Sequence, residues 1–121
     1  IHHPCTTSHH TYTLSLHDAL PISACEIVRK TSLEAARDIE YRSLDFVYID
    51  GSHTFNYVMT DIIEWARRVK KGGIVSGDDY KVHKHGNVIL AVDTYVKAHN
   101  IEILNVMANK EYSVPNWWFV K

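Results

Sequence analysis

The sequence predicts an α/β protein built on a mainly parallel sheet. Two observations carry this prediction. Short β-prone runs recur from residue 24 onward, and segments with apolar residues at every third or fourth position lie between them. Strands that alternate with helices of about ten to fifteen residues form right-handed βαβ units. The chain has 121 residues, 45% of them hydrophobic and 22% charged, so it suits one domain with one modest core.

The first predicted strand and helix follow one another closely. Residues 26–30 are β-prone, and Thr31 or Ser32 can cap a helix that starts directly after them. The apolar positions of this helix are Leu33, Ala36 and Ile39.

The next unit runs from residue 44 to residue 76. Residues 44–49 are nearly continuously apolar, which is typical of a strand covered on both faces. Residues 57–69 form an amphipathic crossover helix, which Gly72-Gly73 should end before a strand at 74–76. The apolar stripe of that helix is Val58, Ile62, Trp65 and Val69, and its polar side is Asp61, Glu64, Arg67, Arg68 and Lys70.

Three more elements complete the chain: a helix at residues 88–98 and strands at 101–106 and 117–120. We expect strands 44–49 and 74–76 to be parallel neighbours, with 117–120 antiparallel in the same sheet and helices on both faces. Strand 26–30 should pair beside 44–49. Trp117 and Trp118 are consecutive in a strand, so their rings should point to opposite faces.

The first 23 residues differ from the rest, because they show no helical or alternating period. Five of the nine histidines lie among them, but the irregular spacing defines no metal geometry. The run TLSLHDALPI at 13–22 resembles a translated sequencing adapter. We therefore expect residues 1–23 to be a non-native or disordered leader and residues 24–121 to carry the domain.

Composition limits the partners. Lys and Arg total 13 against 14 for Asp and Glu, and this balance attracts neither nucleic acid nor an anionic membrane. No apolar run approaches the roughly 20 residues of a membrane span. Two cysteines are too few for a disulfide framework, which favours a cytoplasmic setting. A small-molecule substrate is the expected partner, and the oligomeric state stays open.

Acidic side chains follow two of the predicted strands. Asp50 comes after the strand at 44–49, and Asp78 and Asp79 follow the next one. Adjacent parallel strands would bring these three carboxylates to one edge, where a hard divalent ion such as Mg²⁺ would balance their charge. His53 lies at the same rim and can act as a base or a ligand.

Simpler interpretations of these residues remain open. Asp50-Gly51 can be an ordinary turn, and Asp78-Asp79 can cap a loop. His53 can point into solvent.

The two segments around these acids have the sequences SLDFVYIDGSH, at 43–53, and KKGGIVSGDDY, at 70–80. Together they resemble class I S-adenosylmethionine-dependent methyltransferases with a Rossmann-like sheet, most closely the small-molecule O-methyltransferases with an Ile-Asp-Gly-x-His element. The resemblance covers residues 26–121. It implies that the chain is the C-terminal part of such an enzyme, with an incomplete sheet.

The resemblance also implies roles for individual residues. Ser32 and Leu33 fall at the loop that contacts the adenine of S-adenosylmethionine, and Asp50 with Gly51 falls beside the cofactor. Asp50, Asp78 and Asp79 match the magnesium ligands of metal-dependent members. His53 lies where catechol-type members place a catalytic lysine, so His53 and Asp50 are the expected catalytic residues.

Two departures from the family pattern stand out. Sugar-modifying relatives carry an acidic residue that acts as the general base two positions after the first metal ligand, and this chain has Ser52 there. No glycine precedes Gly51, so the Gly-rich cofactor loop has no counterpart, and neither does the acid that holds the ribose. We therefore expect this chain by itself to bind S-adenosylmethionine weakly and to be inactive as a fragment.

Two functions follow from these residues. One is methyl transfer to a small-molecule acceptor, most simply a hydroxyl, with S-adenosylmethionine and a divalent metal such as Mg²⁺. The other is a non-catalytic α/β module that binds a nucleotide or a partner. The clustered carboxylates favour the enzyme, because a passive module has no need for three acids at adjacent strand ends.

Overall fold

The computed structural model describes residues 3–6, 25–84, 86–108 and 114–121, which form an α/β fold. No helix in this described part combines the length and apolar character needed to cross a bilayer. The elements, in chain order, are β1 (His3–Thr6), β2 (Cys25–Val28), α1 (Ser32–Arg37), β3 (Leu44–Ile49), α2 (Phe55–Arg68), β4 (Val69–Gly77), β5 (Val82–His83), β6 (Gly86–Asn87), α3 (Val88–Ala98), β7 (Asn105–Met107) and β8 (Asn116–Val120).

Among the described residues, the main sheet has four strands in the order β3-β4-β8-β7. Strands β3 and β4 are parallel neighbours bridged by α2, with Val47 opposite Val75. Strand β8 is antiparallel to β4 and β7, so three of the four strands share one direction. The predicted α/β class, the parallel pair and the antiparallel C-terminal strand are confirmed.

The N-terminal pair departs from the prediction. Strand β1 pairs in parallel with β2, with His3 opposite Cys25, in a two-stranded sheet of its own. Strand β2 therefore does not join β3, and the interpretation of residues 1–23 as a leader stays a prediction. Parallel pairing depends on backbone hydrogen bonds, so it can form without the apolar periodicity from which strands are predicted in a sequence. Residues 1–2 and 7–24 lie outside the described residues.

Helices α1, α2 and α3 share the core with one face of the main sheet. Helix α1 begins at a capping box, in which the Thr31 side chain accepts from the Glu34 backbone and the Glu34 side chain accepts in return. Trp117 is only 1% exposed, whereas Trp118 is half-buried on the opposite face, as predicted. The buried apolar side chains include Val47, Val58, Ile62, Trp65, Val75, Ala91, Val92, Trp117 and Phe119.

The other face of the sheet is open in the described part of the chain. Phe46 and Tyr48 in β3 are 53% and 45% exposed, and Val120 in β8 is 55% exposed. The predicted cover by helices on both faces is therefore not found there. A continuously apolar strand indicates that both of its faces are hydrophobic, but it does not indicate which elements cover each face.

The Lys-Lys-Gly-Gly segment lies inside a strand instead of ending a helix. Helix α2 stops at Arg68, and β4 starts at Val69. Its pairing with β3 is irregular here, and Gly72 has a φ of 82° that suits glycine. Backbone hydrogen bonds to Lys121 hold Gly72 and Gly73, so the long-range pairing overrides the local helix-stop signal.

Candidate functional site

The loops after β3 and β4 meet at one edge of the sheet. Ile49 and Gly77 are paired across the two parallel strands, so the residues that follow them leave the sheet side by side. The backbone N–H of Asp78 donates to the carbonyl of Ile49, and the Trp117 indole donates to the carbonyl of Asp78 at 3.1 Å. The loop after β4 is therefore fixed by both neighbouring strands.

Three of the predicted residues converge at this edge. Asp50, His53 and Asp78 each offer one ligand atom, and these atoms lie within 4.8 Å of one another. Two carboxylates and an imidazole at this separation suit a divalent cation. The residues present thus fit a metal ion.

Asp79 takes a different position from the one expected of a third carboxylate ligand. Its backbone has a φ of 54°, and one carboxylate oxygen lies 2.7 Å from Nε2 of His53. The other oxygen lies 2.9 Å from Nζ of Lys81. The two carboxylate oxygens of Asp79 thus contact His53 and Lys81, and His53 is the third residue of the cluster with Asp50 and Asp78. The role of Asp79 as a metal ligand stays a prediction.

The electrostatics of the edge reflect its crowded acids. Burial, with Asp50 and Asp79 nearby, raises the pKa of Asp78 to about 6, and His53 partly opposes that rise. Burial also raises the pKa of Tyr48 to about 12, helped by the same three carboxylates. A bound cation would relieve this repulsion.

A shallow cavity lies beside the carboxylate edge, and its empty space of about 290 Å³ includes the open solvent at its mouth. Two hydrogen bonds join residues of its lining: the Trp65 indole donates to Oγ of Ser32 at 2.8 Å, and Ser32 donates to Oδ1 of Asp61 at 2.6 Å. Leu33 is 37% exposed and is not part of the lining. The lining residues are Ser32, Tyr48, Ile49, Asp50, Gly51, Asp61 and Trp65.

A second shallow cavity, with about 220 Å³ of empty space that includes open solvent, is also lined by Gly51. His53, Asp78 and Trp117 contribute to its lining. The carboxylate edge therefore stands between two spaces, a polar one beside Ser32 and one beside His53.

Sequence reasoning missed Asp61 and Trp65 as site residues. Asp61 was assigned to the solvent side of α2, yet it is half-buried against Ser32. Asp61 and Trp65 are four residues apart, so they share a helix face. Because Trp65 was predicted to be buried, this spacing could have indicated that Asp61 lies near the protein interior. The contact of Asp61 with Ser32 could not be predicted from the sequence, because Ser32 belongs to a different helix.

Comparison with known proteins agrees with this geometry. Residues 5–80 match the sequence profile of a family described as a methyltransferase domain. The chain belongs to this family. The match confirms the resemblance drawn from the two motif segments, and it extends upstream of residue 26, to Cys5.

Individual relatives of this methyltransferase-family chain are distant. It is 31% identical over 70 residues to an uncharacterized protein of Sinorhizobium fredii, y4gI; the alignment covers 58% of this chain and 8% of that protein. Its fold is similar to a Corynebacterium glutamicum protein of known structure, with a TM-score of 0.55, 12% identity and 84% coverage of this chain. It is also similar to an O-methyltransferase from Bacillus cereus solved in complex with S-adenosylhomocysteine, with a TM-score of 0.51, 16% identity and 80% coverage. The chain spans about 50% of the length of each of these two structures.

Proposed function

We propose that this chain supplies the C-terminal half of a methyltransferase site that transfers a methyl group from S-adenosylmethionine to a hydroxyl of a small molecule, assisted by a divalent cation. The observation that carries the proposal is the convergence of Asp50, His53 and Asp78 at the carboxyl edge of β3 and β4. Ligands of α/β sheets bind at this edge. Coverage of half of each solved relative supports a longer native enzyme.

The carboxylates of Asp50 and Asp78 would hold the cation. Mg²⁺ commonly binds through one or two carboxylates and keeps waters or substrate oxygens in its other positions. Mn²⁺ suits the same oxygen ligands. A cation held here would lower the pKa of a bound substrate hydroxyl and orient it.

His53 would act as the general base. If its Nε2–H donates to the Asp79 carboxylate, the lone pair of the neutral ring lies on Nδ1 and can take the hydroxyl proton. Asp79 would then stabilise the imidazolium that forms. Ser52 cannot replace His53 in this role, because a serine hydroxyl is not basic near neutral pH.

The cofactor supplies an electrophilic methyl group on its sulfonium. When bound, it would give this methyl group to the acceptor oxygen, with S-adenosylhomocysteine as the leaving group and His53 as the acceptor of the hydroxyl proton. The cavity lined by Ser32, Asp50 and Gly51 is the space that we assign to the adenosine part. Positioning of the two reactants accounts for most of the acceleration in such a displacement. We assign the reaction to the cytoplasm on the basis of cysteine usage.

The transfer assay uses the longer native enzyme that we propose, with radiolabelled S-adenosylmethionine and small hydroxyl-bearing acceptors, and S-adenosylhomocysteine binding is measured by NMR for this chain alone. We expect weak binding that shifts the backbone signals of Ser32 and Gly51, and label transfer that stops with excess chelator and in Asp50→Asn. Asp45→Asn, at the opposite end of β3, is the matched control and should behave as wild type. His53→Gln separates the roles, because a lost base stops transfer while metal binding persists. Absence of binding at millimolar ligand would contradict the proposal.

A further inference from the structure

The hairpin formed by β5 and β6 lies directly against the loop that carries His53. A β-carbon added at Gly86 would collide with the carbonyl oxygen of His53, and it would lie 2.6 Å from the carbonyl carbon of His53 and 3.1 Å from the amide nitrogen of Thr54. Atoms in a well-packed protein do not overlap in this way. Gly86 lacks the positive φ that favours glycine, so space alone requires a glycine at this position.

The hairpin side of this contact is anchored to α3. Gly86 pairs with His83 inside the hairpin. The next residue, Asn87, caps α3, since its side-chain oxygen accepts from the Leu90 N–H at 2.9 Å. Val88, the first residue of α3, is only 2% exposed and belongs to the core. Gly86 therefore cannot move away from His53 without disturbing the start of a packed helix.

The other side of the contact is anchored to α2 at Thr54. The Thr54 carbonyl accepts from the Val58 N–H at 3.0 Å, and Val58 is a buried core residue. His53 lies one residue before Thr54, outside the helix, and its side chain is 38% exposed. His53 is thus the residue of this contact that has room to move. A group added at Gly86 would displace His53 before it displaced either helix.

We propose that Gly86 is a positioning residue that holds His53 in the cluster with Asp50 and Asp78. This inference rests on the proposed function, in which His53 takes the proton of the acceptor hydroxyl while the two carboxylates hold the cation. Asp79 restrains the ring of His53 at Nε2, and Gly86 restrains its backbone. A misplacement of about 1 Å in a reacting group can cost about a hundredfold in rate, so this restraint bears on the chemistry.

The experiment compares Gly86→Ala with wild type by NMR, using the full chain and substoichiometric Mn²⁺. The ring signals of His53 are identified by their loss in His53→Gln, and the N–H signal of Gly51, next to Asp50, reports that Mn²⁺ is bound. Paramagnetic broadening falls with the sixth power of distance. We therefore expect the broadening of the His53 ring, relative to that of Gly51, to fall severalfold in Gly86→Ala.

Asn87→Ala is the matched control. It removes the cap of α3 at the adjacent residue and adds no atom against His53, so it should lower the urea midpoint of unfolding and keep the wild-type broadening ratio. A ratio that does not fall in a folded Gly86→Ala overturns the positioning role. An equal fall in Asn87→Ala also overturns it, because the effect would then come from the loss of stability.

Measurements without metal separate this inference from the proposed function. One α-hydrogen of Gly86 points in the direction of the missing β-carbon, so wild type should show a strong nuclear Overhauser effect between it and the N–H of Thr54. Absence of this effect overturns the inference even if Gly86→Ala does not fold. Wild-type signals that stay sharp at millimolar Mn²⁺ would contradict the proposed cation site. The role of Gly86 then depends on the His53 ring shifts of metal-free Gly86→Ala, and shifts equal to those of wild type overturn it.

Discussion

Replacement of Asp78 by Asn should stabilise the metal-free protein above pH 6. The pKa of Asp78 lies at about 6 in the folded chain against an ordinary value of 3.8. The unfolded chain therefore releases this proton at a lower pH than the folded chain does. As pH rises from about 4 to 6, the folded state holds the extra proton, and by linkage its stability falls. The loss is complete above pH 6, where Asp78 is ionised in both states.

The size of the effect follows from the same pKa difference. One pKa unit corresponds to about 1.4 kcal/mol, so the full difference corresponds to about 3 kcal/mol. Asp78 is half-buried, and solvent screening reduces the expected gain of Asp78→Asn to about 1–2 kcal/mol at pH 7.5. The gain should vanish near pH 4, since wild-type Asp78 is neutral there in the folded state.

Urea unfolding at pH 4 and pH 7.5, without divalent ions and with chelator present, measures this difference. The comparison is Asp45→Asn, whose exposed ion pair with Lys70 should contribute less than about 1 kcal/mol at pH 7.5. A second series with millimolar Mn²⁺ should stabilise wild type and leave Asp78→Asn unchanged. Equal destabilisation of Asp78→Asn at both pH values would refute the reasoning. It would mean that burial and the neighbouring carboxylates do not raise the pKa of Asp78.

Other substitutions test the framework that holds the site. Arg68→Ala should destabilise the fold by about 3–5 kcal/mol, because the buried guanidinium donates to the Ala36 carbonyl and pairs with Glu64, and thermal unfolding would reveal this loss. Gly77→Ala should cost about 1–3 kcal/mol and displace the loop after β4, since the added Cβ would lie 2.6 Å from the Ile49 carbonyl oxygen; a wild-type midpoint in urea would contradict the close approach. Trp117→Ala should cost about 3–5 kcal/mol in the same assay.

The sequence could predict the part of the fold that depends on apolar periodicity. Helix α3 has the predicted bounds, and the β3-α2-β4 unit follows from a continuous apolar strand, an amphipathic helix and a second strand. The β1–β2 pair and the early start of β4 could not be predicted in this way. Both depend on backbone hydrogen bonds to distant residues, which leave no pattern in the local sequence.

The sequence predicted where in the fold the candidate site lies, but not the directions of all its side chains. Parallel strand ends placed Asp50 and Asp78 together without knowledge of the coordinates. The direction of the Asp79 side chain depends on a positive φ and on contacts with His53 and Lys81, none of which its own position in the sequence indicates. Asp61 could be identified as a site residue only from the structure, in which Ser32 of α1 donates to Asp61 of α2.

The most direct test of the proposed reaction centre is to locate Mn²⁺ and S-adenosylhomocysteine in crystals of the protein. The anomalous signal of manganese should lie at the carboxyl edge of β3 and β4, in contact with Asp50 and Asp78, with the adenosine part in the cavity beside Ser32. His53 should lie within reach of an oxygen bound to the ion. An ion found elsewhere, or an adenosine part bound away from Ser32 and Gly51, would contradict the assignment of this edge as the site of methyl transfer.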